Sequence, residues 1–287
     1  MTLSRKELVR ILGENGLRLC RERGQNFLVD GRVLDALLSR VRNPDRRPVL
    51  EIGTGLGVLT RRLAETGTRV VSFEVDRGVY RLARKRLQGI EGITLVHGDF
   101  LRADSGRYFR GTYLVVANIP YSIAGRILMR LWEESERVAG SYLLVPRELG
   151  ARLTAPIPGK NAGVLPVLLQ TAFRARLVRD VSRTAFFPVP RVDSAYLELL
   201  PRKQGLSESE RRALRDLLRI GFSQRRKMLL KRLEAAYRNA GGTFRTMGIP
   251  ENARPEMLST DQWPELARTL ETRRGETGRG DSARRTS

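Results

Sequence analysis

The sequence predicts an α/β fold, a doubly wound parallel sheet followed by a small helical domain. Three observations carry this expectation. From residue 48 onward, short β-rich runs alternate with helical stretches, which is the pattern of βαβ units. A glycine cluster, Gly53, Gly55 and Gly57, separates the first of those runs from its helix. After Pro201 the strand signal stops and helical periodicity continues alone.

Taken in order, residues 4–19 place Leu8, Ile11 and Leu12 at helical spacing and break near Gly13 and Gly16. Residues 31–41 predict a second helix, closed by Asn43-Pro44. Strands are predicted at PVLEIG (48–53), TRVVSFEVD (68–76), ITLVHGD (93–99), TYLVVANIPY (112–121) and GSYLLV (140–145). Helices fall between them at 56–67, 77–87 and from the end of the fourth strand through about 134. Residues 174–182 and 194–200 read as a closing β-pair around a loop at 186–191. Residues 207–220, 222–238 and 262–271 read as helices, the first opened by a Ser-Glu-Ser-Glu cap. The expected division is an N-terminal helical segment (1–47), a Rossmann-like domain (48–201), a helical domain (202–271) and a basic tail (272–287). The tail has almost no apolar residue and is expected to be disordered.

The composition narrows the function. The 287 residues carry 53 Lys and Arg against 31 Asp and Glu, a net charge of +22. Such a surplus favours a polyanionic partner. Per residue, the stretch 49–201 is the least basic and the two ends the most. A hydrophobic content of 41% excludes a wholly disordered chain. The single cysteine, Cys20, excludes a disulfide framework and a Cys-rich zinc site. The single histidine, His97, removes most His-based metal sites and reads as a structural strand residue rather than a catalyst. No apolar run approaches the ~20 residues of a membrane span, and no signal core opens the chain. A cytoplasmic, monomeric protein without a metal is the expectation.

Four strand ends carry candidate chemistry. Glu51-Ile52-Gly53-Thr54-Gly55-Leu56-Gly57 follows the first strand, where missing side chains let backbone approach a ligand. A tight structural turn would use the same glycines. Glu74 ends the second strand, where a carboxylate can accept the ribose hydroxyls of an adenosine-containing cofactor. After the third, Asp99 can accept from an adenine amine and Phe100 can cover the ring, although Gly-Asp is also common in turns. Asn118-Ile119-Pro120-Tyr121 ends the fourth. The exocyclic amine of adenine is a poor nucleophile because its lone pair is delocalised. The Asn118 side-chain carbonyl and the Ile119 backbone carbonyl can bind both amine hydrogens and favour a pyramidal nitrogen. Pro120 fixes the chain there, and Tyr121 offers a face worth ~1–3 kcal/mol for stacking a base. Phe186, Phe187, Pro188 and Pro190 make a stiff aromatic loop that can wall a flipped base or plug an apolar seam. Arg225, Arg226, Lys227, Lys231 and Arg232 form a basic run on a predicted helix, suited to phosphates or to solvent.

At these residues the chain resembles the ribosomal RNA adenine N6-dimethyltransferases, and among them the KsgA-type small-subunit enzymes. The motifs are RGQNFLVD (23–30), EIGTGLGVLT (51–60), FEVD (73–76), GDFL (98–101), NIPYSI (118–123), FFPVPRVDS (186–194) and FSQRRKMLLKRL (222–233). The resemblance runs from about residue 5 to 270 and implies a class I methyltransferase fold with a seven-stranded, mostly parallel sheet. It implies S-adenosylmethionine as methyl donor. It implies a pair of adjacent adenosines near the 3′ end of small-subunit rRNA as substrate, in an assembling particle. By motif, Gln25, Asn26 and Leu28 touch the cofactor, and Gly53 and Gly55 approach its methionine part. Glu74 holds the ribose, and Asp99 with Phe100 holds the adenine. Asn118, which also borders the cofactor, and Tyr121 take the target base, with Phe186 as second wall. Departures occur at Thr54, Ser122-Ile123-Ala124, Pro146-Arg147-Glu148, Asn161-Ala162-Gly163 and Pro166. Three other readings stay open: an Erm-type large-subunit methylase, a non-catalytic RNA-binding assembly factor, and a nicotinamide-dependent oxidoreductase. The last explains neither NIPY nor the charge.

Overall fold

The computed structural model describes residues 3–17, 26–202, 205–224 and 227–270. They divide into two compact units, Met1–Ala151 with Arg174–Pro201, and Arg152–Phe173 with Arg202–Ser287.

In the first unit, helix α1 (Arg5–Glu14) is opened by a capping box between Ser4 and Glu7. Its Leu8, Ile11 and Leu12 pack with Leu56 and Leu82. A two-residue strand β1 (Phe27–Leu28) precedes α2 (Gly31–Leu38), which Asp30 caps. The alternation then runs β2 (Val49–Ile52), α3 (Val58–Ala64), β3 (Val70–Glu74), α4 (Arg77–Arg86), β4 (Ile93–His97), β5 (Tyr113–Asn118), α5 (Ala124–Glu133) and β6 (Val138–Pro146). Helix α6 (Arg147–Thr154) and then α7 (Val164–Ala172), which belongs to the second unit, precede β7 (Phe173–Val181), β8 (Phe186–Phe187) and β9 (Ser194–Pro201). The seven-stranded sheet has the order β4-β3-β2-β5-β6-β9-β7. Pairs β2–β3, β3–β4, β2–β5 and β5–β6 are parallel, and β6–β9 is antiparallel. All residues of β2 and β3 are buried, which is why these strands read as near-continuous runs. The strand predicted over 112–121 stops at Asn118, because Pro120 has no N–H to donate to a ladder. The predicted pair 174–182 and 194–200 is found as neighbours β7 and β9. A second sheet, β1 with β8 antiparallel, pairs Phe27 with Phe187 and Leu28 with Phe186.

The second unit corrects two expectations. Residues 152–173, expected within the Rossmann-like domain, group instead with the C-terminal helices. The Arg202 N–H donates to Ala172 O at 2.9 Å, and Gly159 N–H to Glu256 O at 2.9 Å. The single helix predicted over 222–238 is not formed. Helix α8 (Glu208–Phe222) ends at Ser223, and α9 is only Leu229–Glu234. The Leu229 N–H donates to Ala253 O at 2.8 Å, a bond outside any helix. Leu229, Leu230 and Leu233 are buried as the apolar spacing predicts. Helix α10 (Ala240–Thr246) and a last helix at 262–270 complete the unit. Cys20, Gln25, Arg225, Arg226 and the tail from 271 lie outside the described residues. Among the described residues, no helix is long and apolar enough to cross a membrane.

Gly57 tests the packing behind the glycine loop. It caps α3 at φ +76°, and a Cβ there would stand 2.9 Å from the Leu87 side chain. Gly57→Ala is expected to destabilise the fold by about 2 kcal/mol or more, read as a lower Tm in thermal unfolding.

Candidate active site

Strands β2, β3, β4 and β5 are parallel, so their C-terminal ends bring the following residues to one edge of the sheet. Those residues line a cavity of about 400 Å³. Asn26, Leu28, Gly53, Gly55, Glu74, Asp99, Phe100 and Asn118, all singled out in the sequence, lie on its wall.

The glycine loop adopts the conformations that its sequence permits. Gly53 and Gly55 have φ of +87° and +55°, a region that glycine enters without penalty. A Cβ on Gly55 would stand 3.1 Å from the Phe27 ring, and one on Gly53 would stand 3.8 Å from Asn118 O. The Gly55 N–H donates to Glu74 Oε2 at 3.0 Å, and the Asp76 N–H to Glu74 Oε1 at 2.9 Å. These bonds fix the carboxylate plane while leaving lone pairs on both oxygens. Burial pushes the Glu74 carboxyl up, and the two N–H bonds oppose it. Asp99 accepts from Leu101 N–H at 2.9 Å. Phe100 is buried, edge-on to Phe73 at 5.8 Å between centroids.

Asn118 is held by its amide nitrogen, which donates to Asn26 O at 2.7 Å. Its Oδ1 is buried and has no hydrogen-bond partner. Ile119 is buried and donates its N–H to Leu144 O at 3.3 Å. Pro120 leads into a short turn, Tyr121–Ile123. The Tyr121 hydroxyl is bonded to Ser194 Oγ, and burial pushes its phenol up. Tyr121 and Phe186 are brought together as predicted, but edge to face, at 6.4 Å and 75°. They form no parallel slot. Phe186 belongs to the apolar core, while its neighbour Phe187, on the opposite side of the strand, lies under the Arg5 guanidinium at 4.7 Å. His97 is exposed, with its ring 5.1 Å from that of Tyr80. In the second unit, Lys227 and Lys231 are exposed.

Two site residues have no role in the sequence reading. Glu51 lines the cavity and is 1% exposed. Its Oε2 accepts from Thr60 at 2.5 Å and Ser72 at 2.6 Å, and its Oε1 has no partner. Ser194 anchors Tyr121. Its place in FFPVPRVDS was the available signal.

A sequence model of the ribosomal RNA adenine dimethylase family matches residues 17–272. The chain belongs to that family. The ribosomal RNA small subunit methyltransferase A of Moorella thermoacetica is 34% identical over 275 residues, covering 91% of this chain and 96% of the relative. That of Nostoc punctiforme is 35% identical over 276 residues, covering 90% and 96%. The crystal structure of the 23S rRNA methyltransferase ErmE is similar, with a TM-score of 0.66, 26% identity, and coverage of 86% of this chain and 100% of that one. An adenine dimethylase uses S-adenosylmethionine. The cavity fits such a donor: a glycine cradle that side chains would fill, a fixed carboxylate at Glu74, and an unpartnered buried acceptor on Glu51.

Glu74→Ala removes the acceptor of two backbone N–H groups as well as the expected ribose ligand. It should weaken S-adenosylmethionine binding by about 10–100-fold, the magnitude of lost hydrogen bonds to a charged group. Isothermal titration calorimetry reads this directly, and unchanged affinity would contradict the assignment.

Proposed function

We propose that this chain dimethylates N6 of adjacent adenosines in the 3′-terminal hairpin of small-subunit (16S) rRNA, during assembly of the small subunit. It acts in the cytoplasm as a monomer. The observation that carries the reading is Asn118 Oδ1, an acceptor buried without a partner beside the cavity. The names of the relatives from Moorella thermoacetica and Nostoc punctiforme support the small subunit as target. The likeness to ErmE keeps large-subunit rRNA as the second reading.

When bound, S-adenosylmethionine supplies a methyl group activated on a sulfonium. Asn26, Leu28, Gly53, Gly55, Glu74, Asp99 and Phe100 would hold it, and Gln25 would join them by motif. Asn118 Oδ1 and the Ile119 carbonyl accept the two hydrogens of the adenine amine in the first transfer, and one of them accepts the hydrogen that remains in the second; each transfer forms an N–C bond, breaks the S–C bond and releases one N6 proton to solvent. Pro120 holds that carbonyl in place. Tyr121, steadied by Ser194, stacks the base, with Phe186 at its edge. No strong base is required, because positioning and preorganised acceptors do the main work. Arg225, Arg226, Lys227 and Lys231 contact RNA phosphates.

The deciding experiment offers labelled S-adenosylmethionine with unmethylated small-subunit particles and, separately, naked large-subunit rRNA. Nucleoside mass spectrometry should find N6-dimethyladenosine only in the former. Label only in the latter would favour the Erm-type reading. Asn118→Ala should lower transfer by about 10²–10³-fold, as loss of one preorganised hydrogen-bonding group does, while cofactor binding persists. Retained turnover would remove Asn118 from the mechanism. Replacing Lys227 and Lys231 by Ala should reduce the slope of log affinity for RNA against log salt by about one per lysine. An unchanged slope would put the phosphates elsewhere.

A further inference from the structure

Among the described residues, the charged side chains on the cavity wall are Glu51, Glu74, Asp99 and Arg126. Three carboxyls and one guanidinium line it, in a chain whose net charge is +22. Glu51 is the most buried of the three. Its surroundings stabilise one oxygen only. Thr60 from α3 and Ser72 from β3 both donate to Oε2, and Ser72 is itself bonded to Thr54 from the glycine loop at 2.6 Å. Nothing donates to Oε1. The other titratable group acting on Glu51 is Glu74, also on β3, and it is a like charge. An ionised Glu51 would therefore hold a buried, half-compensated negative charge, which is costly. Burial accordingly pushes its carboxyl up to about 8, against the pull of the Ser72 and Thr60 bonds. What the site lacks is a positive group opposite Oε1.

Resting on the reading of this cavity as a methyl-donor site, we propose that Glu51 is protonated in the free protein and gives up that proton to solvent when S-adenosylmethionine binds. The carboxylate then serves as counter-charge to the cationic donor. The sign follows from linkage. Below the free-protein pKa, binding must expel a proton, so affinity rises with pH. Above it Glu51 is already ionised, and affinity is flat. The donor loses its sulfonium charge on transfer, so an ionised Glu51 favours donor over product.

The test is calorimetric titration of the full chain with S-adenosylmethionine near pH 7, in buffers of different ionisation enthalpy. The wild type should release close to one proton per site. Its Kd should fall by about tenfold per pH unit between about pH 6 and 8 and level off above. Glu51→Gln keeps an acceptor for Thr60 and Ser72 and should abolish both effects. Ser72→Ala removes one donor to Oε2 and should move the levelling point to higher pH, a readout that a merely structural Glu51 would not give. Donor binding with buffer-independent heat would overturn the proposal and leave the cavity's assignment standing. Proton release persisting in Glu51→Gln would overturn it in favour of Glu74. Absence of donor binding by the folded wild type would overturn the cavity reading and the proposal together.

Discussion

The bond from Asn118 Nδ2 to Asn26 O, 92 residues apart in sequence, fixes which end of the Asn118 amide is left over. With the nitrogen committed, the oxygen is buried and unpartnered. A buried acceptor without a donor costs about 1–3 kcal/mol, so the arrangement needs support from its surroundings. That support is visible. The residue stands at the end of β5, paired along its length with β6, and Pro120 follows. Asn26 precedes β1, which β8 pins by antiparallel pairing. The aromatic loop and the N-terminal segment are therefore joined to the same point, and the candidate base wall and the cavity meet at Asn118.

Charge is distributed in two opposed ways. The chain as a whole is strongly basic, which suits a polyanion. The cavity is acidic, which suits a cation. A protein that must hold an RNA and a sulfonium donor at once needs both signs, kept apart. Burial separates them, because Glu51 and Glu74 are buried while most of the arginines among the described residues are exposed. The fixed hydrogen bonds on Glu74 and on Glu51 Oε2 are the local devices that tolerate this concentration of carboxyls.

Much of this was legible in the sequence, for identifiable reasons. Strands β2, β3 and β5 are buried on both faces, so they appear as near-continuous apolar runs bounded by glycine and acid. The left-handed φ values of Gly53 and Gly55 explain why those positions stand out. The two-residue strands β1 and β8 are too short for any periodicity to betray. The apolar spacing of Leu229, Leu230 and Leu233 extended the predicted helix back to 222, because periodicity does not register the break after Ser223. Residues 152–173 carry no strand signal, and what ties them to the C-terminal segment is a pair of long-range backbone bonds, Gly159 N–H to Glu256 O and Arg202 N–H to Ala172 O, which no periodicity shows. Glu51 reads as one residue of a strand. Only its unpartnered oxygen sets it apart, and that is a property of three dimensions.

The most direct test of the central claim is a crystal structure of the chain with a bisubstrate analogue, an adenosine joined through N6 to the donor's amino-acid arm. The account predicts that N6, which keeps one hydrogen in this analogue, donates it to Asn118 Oδ1 or to the Ile119 carbonyl, with Asn118 Nδ2 still on Asn26 O and the base against Tyr121. An Asn118 amide turned so that its nitrogen faces the base, or a base bound away from Tyr121, would contradict it.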